Sequence, residues 1–217
     1  MSSETDAEKR AAAEAAAELV EDGMRVGLGT GSTVAHLLPA LAARKLEIRC
    51  VATSVATEEA ARELGLDVEP SGDLDRLEIA IDGADQIAPE GWLVKGGGGA
   101  HTREKVVAAA AERFVVIADS TKPVDEIEAP IPLELLAFGV GATLRALGSA
   151  QLRDGAPPTP DGGLIADYTG AVGEPDRLAA WLSAVPGVVD HGLFAPSLVS
   201  AVLVARGSEV EHRTIGD

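Results

Sequence analysis

Apolar residues follow two spacings along the chain, and each spacing predicts one kind of element. Short unbroken apolar runs predict β-strands, while helical spacing of apolar positions, with Gly23 ending the first such stretch, predicts α-helices. The predicted helices span residues 7–22, 34–44, 55–64, 102–113, 140–147 and 176–184. The predicted strands span residues 24–28, 48–53, 77–81, 92–95, 114–118, 133–138, 149–154, 164–169, 188–193 and 198–205.

The order of these elements predicts two domains of different architecture. Up to residue 130, strands that are apolar on both faces alternate with helices, which predicts an α/β fold with a mostly parallel, Rossmann-like sheet and helices on both faces. From 133 to 193 the order is β-α-β-β-α-β, that of a ferredoxin-like α+β domain. We therefore assign residues 1–130 and 198–217 to the α/β domain. Residues 131–197 form the smaller α+β domain, where oligomer contacts are expected.

The charge balance excludes several classes of partner. Asp and Glu number 35 against 18 Lys and Arg, which gives a net charge of −17. Such a field repels phosphate backbones and acidic membrane surfaces, so we expect no nucleic-acid partner and no membrane partner. The apolar runs are shorter than the roughly 20 residues that span a bilayer. The acidic, Ala-rich N-terminus has no signal-peptide pattern, so we expect a cytoplasmic protein.

The acidity has two interpretations. One is an ordinary solvated surface that keeps the chain in solution. The other is halophilic adaptation to a salty cytoplasm, which we favour because only five of the 18 cationic residues are Lys. The chain has one cysteine, Cys50, which excludes an internal disulfide and cannot make a zinc site by itself.

The first candidate loop runs from Gly27 to Thr33, between a predicted strand and a predicted helix. Its glycines let a ligand approach the backbone, and the N–H groups at a helix start attract an anion. A dinucleotide site is disfavoured because Ser32 replaces the third glycine of that fingerprint. We favour a small phosphate ester as the ligand, with a plain tight turn as the alternative. Residues 53–57 repeat a hydroxyl-rich turn that would face the same ligand.

The second candidate loop carries Asp82 and Asp85, directly after an apolar strand. Carboxylates at the carboxyl end of a strand grip sugar hydroxyls, hold a metal or transfer protons. An Asp-Gly turn in which Asp85 caps a helix explains the same residues equally well. A metal is disfavoured because no His or Cys stands near in sequence.

The third candidate loop places Lys95 before four consecutive glycines. Ordering four glycines costs much conformational entropy, and the pattern is typical of backbone N–H groups that surround a developing oxyanion. Lys95 would add positive charge, and Glu104 falls in the first turn of the helix that follows. His101 is expected to be an exposed loop residue rather than a catalyst.

Together, residues 29–33 (GTGST), 82–85 (DGAD) and 95–105 (KGGGGAHTREK) resemble ribose-5-phosphate isomerase, type A. The resemblance runs over essentially the whole chain and includes residues 118–122 (ADSTK) and 186–194. It implies interconversion of ribose 5-phosphate and ribulose 5-phosphate, a phosphosugar substrate, no metal and no organic cofactor. It also implies a place in the pentose phosphate and Calvin routes, and a homodimer or homotetramer is expected.

The resemblance assigns roles to particular residues. Its three loops fall on Thr30, Gly31, Ser32 and Thr33, on Asp82, Gly83, Ala84 and Asp85, and on Lys95, Gly96, Gly97 and Gly98. Glu104 matches the proton acceptor, and Lys122 matches a further substrate contact. Two departures bear on fine specificity or oligomer contacts: Gln86 stands where Glu is common, and the turn at residues 195–197 differs.

Aldose–ketose interconversion moves a proton between neighbouring carbons through an enediolate, and this chemistry fits the residues. Glu104 would be the general base, while Lys95 and the glycine N–H groups would stabilise the enediolate oxygens. Asp82 or Asp85 would move hydroxyl protons and help to open the sugar ring; the sequence leaves open which.

Two other classes of function remain. A phosphosugar-sensing module is disfavoured because residues 1–22 offer one acidic helix and no DNA-binding helix-turn-helix. A sugar-phosphate deaminase or lactonase would be expected to rely on a catalytic His, and the three loops offer only His101.

Overall fold

A computed structural model describes residues 3–70, 72 and 75–215 of the protein. The chain forms two compact units. The first unit consists of Met1–Ala84, Arg103–Pro123 and Pro196–Asp217, and the second of Asp85–Thr102 and Val124–Ala195.

The helices and strands follow the predicted alternation, with shifts at their ends. The helices are α1 Ser3–Ala17, α2 Val34–Arg44, α3 Val55–Glu63, α4 His101–Ala110, α5 Val140–Leu147 and α6 Pro175–Ala184. The strands are β1 Arg25–Leu28, β2 Arg49–Ala52, β3 Asp67–Val68, β4 Leu77–Gly83, β5 Gln86–Ile87, β6 Leu93–Val94, β7 Ala111–Asp119, β8 Ile131–Leu135, β9 Ala150–Leu152, β10 Leu164–Tyr168, β11 Val188–His191, β12 Leu193–Phe194, β13 Ala201–Arg206 and β14 Glu209–Thr214. A 3-10 turn lies at Pro196–Leu198.

The first unit contains a seven-stranded sheet in the order β14-β13-β7-β4-β1-β2-β3. All its pairs are parallel except that of β13 with β14. Apolar residues of α1, α2 and α3 share one core with one face of this sheet. On the other face α4 packs closely against β1: a Cβ added at Gly27 of β1 would lie 2.5 Å from Cγ1 of Val107 in α4. The predicted parallel sheet with helices on both faces is confirmed.

The second unit contains a four-stranded antiparallel sheet in the order β11-β8-β10-β9. Its elements follow one another as β-α-β-β-α-β, as predicted. Apolar residues of β8, among them Ile131, Leu133 and Leu135, form a core with Leu178 and Leu182 of α6. A separate three-stranded sheet, β12-β6-β5, belongs to the same unit.

The boundary between the units differs from the predicted domain limits. Residues 85–102 and 124–130 were expected in the α/β domain but cluster with the second unit, and residues 196–197, expected in the smaller domain, cluster with the first. The physical reason is strand pairing, because β5 and β6 bond to each other and to β12 rather than to the parallel sheet. The predicted single strand over 188–193 is correspondingly divided between β11 and β12.

Cys50 lies fully buried in the core of the first unit. Burial, with smaller contributions from Asp67 and Glu69, raises the pKa of its thiol to about 12. The thiol therefore acts as an apolar core group rather than a nucleophile. Within the described part of the chain, every helix is too short or too polar to cross a membrane.

Candidate active site

Asp82 joins the end of β4 to the turn between β1 and α2. The residue is 3% exposed, and its Oδ1 accepts hydrogen bonds from the N–H of Thr30 at 3.1 Å and of Gly83 at 2.7 Å. A Cβ at Gly29 would lie 2.0 Å from Cγ of Asp82, so glycine is required there by close approach. The structure thus brings the first and second candidate loops together at the carboxyl ends of two neighbouring parallel strands.

Hydroxyl groups from a third strand end meet the same turn. Oγ1 of Thr30 lies 2.8 Å from Oγ1 of Thr53, and the hydroxyl of Thr57 donates to the carbonyl of Gly29 at 2.9 Å. Ser54 caps α3 by accepting from the N–H of Thr57 at 3.2 Å. The hydroxyl-rich segment 53–57 therefore contacts the first loop, which supports the idea that both turns face one ligand.

Lys9 reaches the first loop from α1. Its side chain is 7% exposed, its Nζ donates to Oγ of Ser32 at 3.0 Å, and Oδ2 of Asp119 lies 4.0 Å away. Ser32 and its neighbour Gly31 are exposed, and Thr33 is buried just before α2. A buried ammonium beside an exposed hydroxyl suits the binding of an anionic group.

Lys122 lies in the loop that follows β7 and is partly buried. Its N–H donates to the carbonyl of Asp119 at 3.3 Å, and Asp119 in turn accepts from the N–H of Thr121 at 2.9 Å. The position at the carboxyl end of a parallel strand agrees with a role in ligand binding.

Glu8, next to Lys9 in α1, holds the start of the loop that follows β7. Its carboxylate accepts from the N–H of Gly207 at 2.7 Å, and from the hydroxyl and N–H of Ser120 at 2.7 and 3.0 Å. These hydrogen bonds, that of Gly207 first, lower the pKa of Glu8 from its ordinary value. No sequence motif marks this residue.

Glu104 lies in the first turn of α4, as predicted, and is 5% exposed. A carboxylate that is nearly excluded from water is suited to proton transfer, because water does not compete for its oxygens.

In the second unit, Lys95 follows β6 and is 2% exposed. Its N–H donates to the carbonyl of Gly192 at 2.8 Å, and its Nζ lies 5.6 Å from the centroid of the Phe194 ring. A Cβ at Gly192 would lie 2.1 Å from the carbonyl oxygen of Lys95, so the two backbones pack in direct contact. The backbone contacts hold the main chain of Lys95, and its ammonium group lies within cation–π range of the Phe194 ring.

The glycine loop, residues 95–99, is ordered by hydrogen bonds of its own. The N–H of Gly97 donates to Oδ2 of Asp85 at 2.8 Å, and the N–H of Gly99 donates to the carbonyl of Gly96 at 3.0 Å. The N–H groups of Gly97 and Gly99 thus have partners within the protein in this structure. The exposed Gly98 has open space where a Cβ would stand.

His101 is fully buried and is the first residue of α4, so the expected exposed loop position is wrong. A Cβ at Gly96 would lie 2.7 Å from Nδ1 of His101 and 2.8 Å from Cβ of Pro132. The imidazole thus packs against the glycine loop, a role that the sequence pattern did not indicate.

The structure explains why an amide side chain, that of Gln86, stands at this position of the acidic loop. Its Nε2 donates to the carbonyl of Glu128, and its Oε1 accepts from the N–H of Glu128, both at 2.8 Å. A glutamate has no donor for that carbonyl, so the amide is the better partner for this backbone.

In the acidic loop, Gly83 and Ala84 are partly buried between the two aspartates, and Asp85 is exposed.

The described residues contain no group of three or more His, Cys, Asp or Glu side chains arranged to hold a metal ion. What they offer is buried ammonium groups, hydroxyls, backbone N–H groups and carboxylates near the carboxyl ends of strands. A parallel α/β sheet with such loops is typical of enzymes that act on small, polar, anionic ligands.

Comparison with known proteins identifies the family. The model of the family "Ribose 5-phosphate isomerase A (phosphoriboisomerase A)" matches residues 49–209. A ribose-5-phosphate isomerase A of Halobacterium salinarum is 46% identical over 220 residues, which cover 95% of each chain. The chain belongs to the ribose-5-phosphate isomerase A family and is an isomerase of this type. A second model, the DeoR C terminal sensor domain, matches residues 4–69.

Solved structures agree with this assignment. The crystal structure of ribose 5 phosphate isomerase A from Neisseria gonorrhoeae superposes with a TM-score of 0.92 at 31% identity, covering 98% of each chain. A D-ribose-5-phosphate isomerase in complex with phospho-erythronic acid superposes with a TM-score of 0.89 at 30% identity, covering 95% of this chain and 97% of the other. The predicted fold class is confirmed.

Proposed function

We propose that the protein interconverts D-ribose 5-phosphate and D-ribulose 5-phosphate through an enediolate, with Glu104 as the general base. The observation that carries this proposal is the contact of buried Asp82 with the Thr30 N–H in the hydroxyl-rich loop. The contact combines a carboxylate for sugar hydroxyls with a loop suited to a phosphate. Phospho-erythronic acid, bound by the solved relative, likewise joins a phosphate to a short hydroxylated carbon chain.

The phosphate is held by the first loop together with two lysines. The N–H groups of residues 31–33 and hydroxyls of residues 30–33 donate to its oxygens, and the ammonium groups of Lys9 and Lys122 supply charge. This local charge is needed because the protein carries a net charge of −17, which repels a phosphate dianion. Each charge-assisted hydrogen bond contributes about 1.5–3 kcal/mol to binding.

The proton transfer is assigned to Glu104, which removes a proton from the carbon next to the carbonyl and returns it to the neighbouring carbon. The enediolate oxygens gain negative charge in this step, and Lys95 stabilises them. Asp82 and Asp85 exchange protons with the sugar hydroxyls, and one of them assists ring opening. A positioned general base accounts for about 10²–10⁴-fold of such a rate enhancement.

The test is ketose formation from ribose 5-phosphate by the purified protein in EDTA and high KCl. Turnover under these conditions supports both the reaction and its independence of divalent metal. Turnover that EDTA abolishes and a divalent metal restores would reject the metal-free reaction.

A phosphosugar sensor is the second candidate function, because the sensor-domain model matches residues 4–69. A sensor binds the sugar phosphate without converting it. Saturable binding of ribose 5-phosphate in calorimetry, with no ketose formed in the same sample, would favour the sensor over the isomerase.

We further propose a cytoplasmic homodimer or homotetramer that serves the pentose phosphate pathway, with oligomer contacts on the second unit. Exposed apolar side chains of this unit support the proposal, since Phe138 is 87% exposed, Val189 51% and Leu136 49%. Light scattering on the native chain and on Phe138→Ser tests it. We expect a dimer or tetramer that dissociates in the variant, and a native monomer would reject the proposal.

A further inference from the structure

We propose that Arg153 is a positioning residue that fixes the peptide between Gly96 and Gly97, and through it the carboxylate of Asp85. The inference rests on the proposed function for its link to the reaction. Its geometry lies entirely within the second unit.

The guanidinium group of Arg153 contacts two partners with different edges. Its Nε and Nη2 donate to the two carboxylate oxygens of Asp167 at 2.8 and 2.5 Å. Its Nη1 donates to the carbonyl of Gly96 at 3.0 Å and to that of Gly97 at 2.9 Å. The bidentate pair sets the plane of the guanidinium group, so that Nη1 points at the glycine loop.

The same peptide is held from its other end. The carbonyl of Gly96 and the N–H of Gly97 belong to one peptide unit, and this N–H donates to Oδ2 of Asp85 at 2.8 Å. Glycines on both sides of a peptide allow it to rotate between orientations at little steric cost. A rotation would remove the N–H from Asp85 and the carbonyl from Arg153 together. Arg153 therefore selects the orientation in which Asp85 is held.

The charge of Arg153 persists over the working pH range. The hydrogen bonds to Asp167 raise the pKa of its guanidinium group, and burial opposes this. A lysine would place one compact charge here and could not bond Asp167 and both carbonyls in the same plane.

The exposure of the glycine loop indicates that Arg153 acts on the orientation of the peptide rather than on the stability of the fold. Arg153 bonds the carbonyl of Gly96, which is buried, and that of Gly97, which is exposed, so water can replace Arg153 at the Gly97 carbonyl. We therefore expect Arg153→Ala to fold and its Gly96–Gly97 peptide to be free to rotate. Misplacement by about 1 Å of a group that acts on the substrate reduces turnover by about 10²-fold.

A cavity of about 350 Å³ makes the proposal testable by chemical rescue. Its lining includes Arg153, the glycines 97–99, Pro158 and Ile165. A free guanidinium ion can reach the space vacated in Arg153→Ala through this cavity. Once there, it can bond Asp167 and the glycine carbonyls in place of the lost side chain.

The experiment compares native protein with Arg153→Ala, Arg153→Lys and Asp167→Asn, using Arg177→Ala as control, since the side chain of Arg177 is 81% exposed. We expect kcat of Arg153→Ala to fall by about 10–100-fold with a smaller change in KM. Millimolar guanidinium chloride should restore part of kcat, whereas equal urea or KCl should not. The fall in kcat should be smaller for Arg153→Lys and Asp167→Asn, and the kcat of Arg177→Ala should equal that of the native protein.

A second readout follows the peptide directly. In amide-exchange NMR the Gly97 N–H should be protected in the native protein and should lose protection in Arg153→Ala. A protected Gly97 amide together with kcat within about twofold of native in folded Arg153→Ala would overturn the proposal. If the native protein shows no turnover, the proposed function fails, and the Gly97 amide alone then decides whether Arg153 holds the peptide.

Discussion

The ammonium nitrogen of Lys9 donates a hydrogen bond to the hydroxyl oxygen of Ser32 over 3.0 Å, although 23 positions separate the two residues. Lys9 comes from α1 and Ser32 from the turn before α2, and these two helices share one core. The packing of two helices therefore places a buried cation beside the loop that we assign to the phosphate.

Replacing Lys9 by Met should weaken substrate binding more than catalysis. The lost charge-assisted contact is worth about 1.5–3 kcal/mol, so KM for ribose 5-phosphate should rise about tenfold or more, with a smaller change in kcat. Steady-state kinetics checks this. Lys122→Ala should behave in the same way, and an unchanged KM would remove the altered lysine from the phosphate site.

Lys45→Asn is the matched control for this prediction. Lys45 is exposed and has a positive φ of 53°, which Asn tolerates well. The variant loses one positive charge without touching the first loop. A rise in KM equal to that of Lys9→Met would show that net charge, and not the local contact, sets the affinity.

Glu104→Gln should separate binding from chemistry. Glutamine keeps the size and hydrogen bonding of the side chain but cannot accept a proton from carbon. We expect kcat to fall by about 10²–10⁴-fold with binding retained, and exchange of the C2 hydrogen of ribose 5-phosphate with deuterated water to be lost. If turnover and exchange both persist near the native rate, the base is another residue, with Asp85 the next to test.

Gly29→Ala should damage the first unit at the contact with Asp82. The new Cβ would lie 2.0 Å from Cγ of the carboxylate, so Asp82 must move and its bond to Thr30 must break. We expect a loss of about 1–3 kcal/mol in the free energy of unfolding, measured in urea, and a fall in activity. Gly141→Ala is the control, because its nearest neighbour, Nη1 of Arg145, lies at an ordinary 3.6 Å.

The sequence predicted elements better than contacts. The bounds of α2 and α5 are correct to the residue, because their helical spacing is clear in each case. Strand β14 was missed, since its sequence EVEHRT is nearly all polar and only its pairing with β13 makes it a strand.

The placement of Asp82 and Lys95 near the ends of strands was predictable, because each lies in a single sequence motif. The site was not predictable where a distant element supplies the partner. The roles of Glu8 and Arg153 both depend on contacts across more than 20 positions of the chain. The sequence pattern carries no signal for such contacts. For the same reason it did not show that His101 is buried.

Glu8 should make stability depend on pH in the acidic range. Its pKa is lowered by folding from an ordinary value of 4.5, so the ionised carboxylate stabilises the native state above that pH. This stabilisation is lost as pH falls through the lowered pKa. Glu8→Gln should therefore be less stable than native at pH 7, and the gap should narrow below pH 4.

Urea unfolding at the two pH values measures this effect. Glu14→Gln, an exposed position on the same helix, removes the same charge without those hydrogen bonds. The role of ionised Glu8 would be contradicted if the difference in unfolding free energy between native protein and Glu8→Gln did not change with pH. It would also be contradicted if Glu14→Gln showed the same difference.

Salt should stabilise the protein, because 35 carboxylate residues repel one another in a chain of net charge −17. Screening shortens the Debye length from about 10 Å at 0.1 M to about 3 Å at 1 M salt. Between 0.1 M and 2 M KCl the melting temperature should rise by more than about 5 °C, which corresponds to roughly 2 kcal/mol at this size. Equal midpoints by calorimetry would favour an ordinary acidic surface over halophilic adaptation.

The two ends of the seven-stranded sheet bear on how the protein behaves when crowded. At one end β3 offers two residues, and at the other β14 exposes Glu209 and Glu211 along its length. An extended segment of another molecule gains most by adding to a long, uncharged edge, and neither end provides one. The shortness of β3 and the glutamates of β14 therefore protect the two edges of this sheet against growth by strand addition.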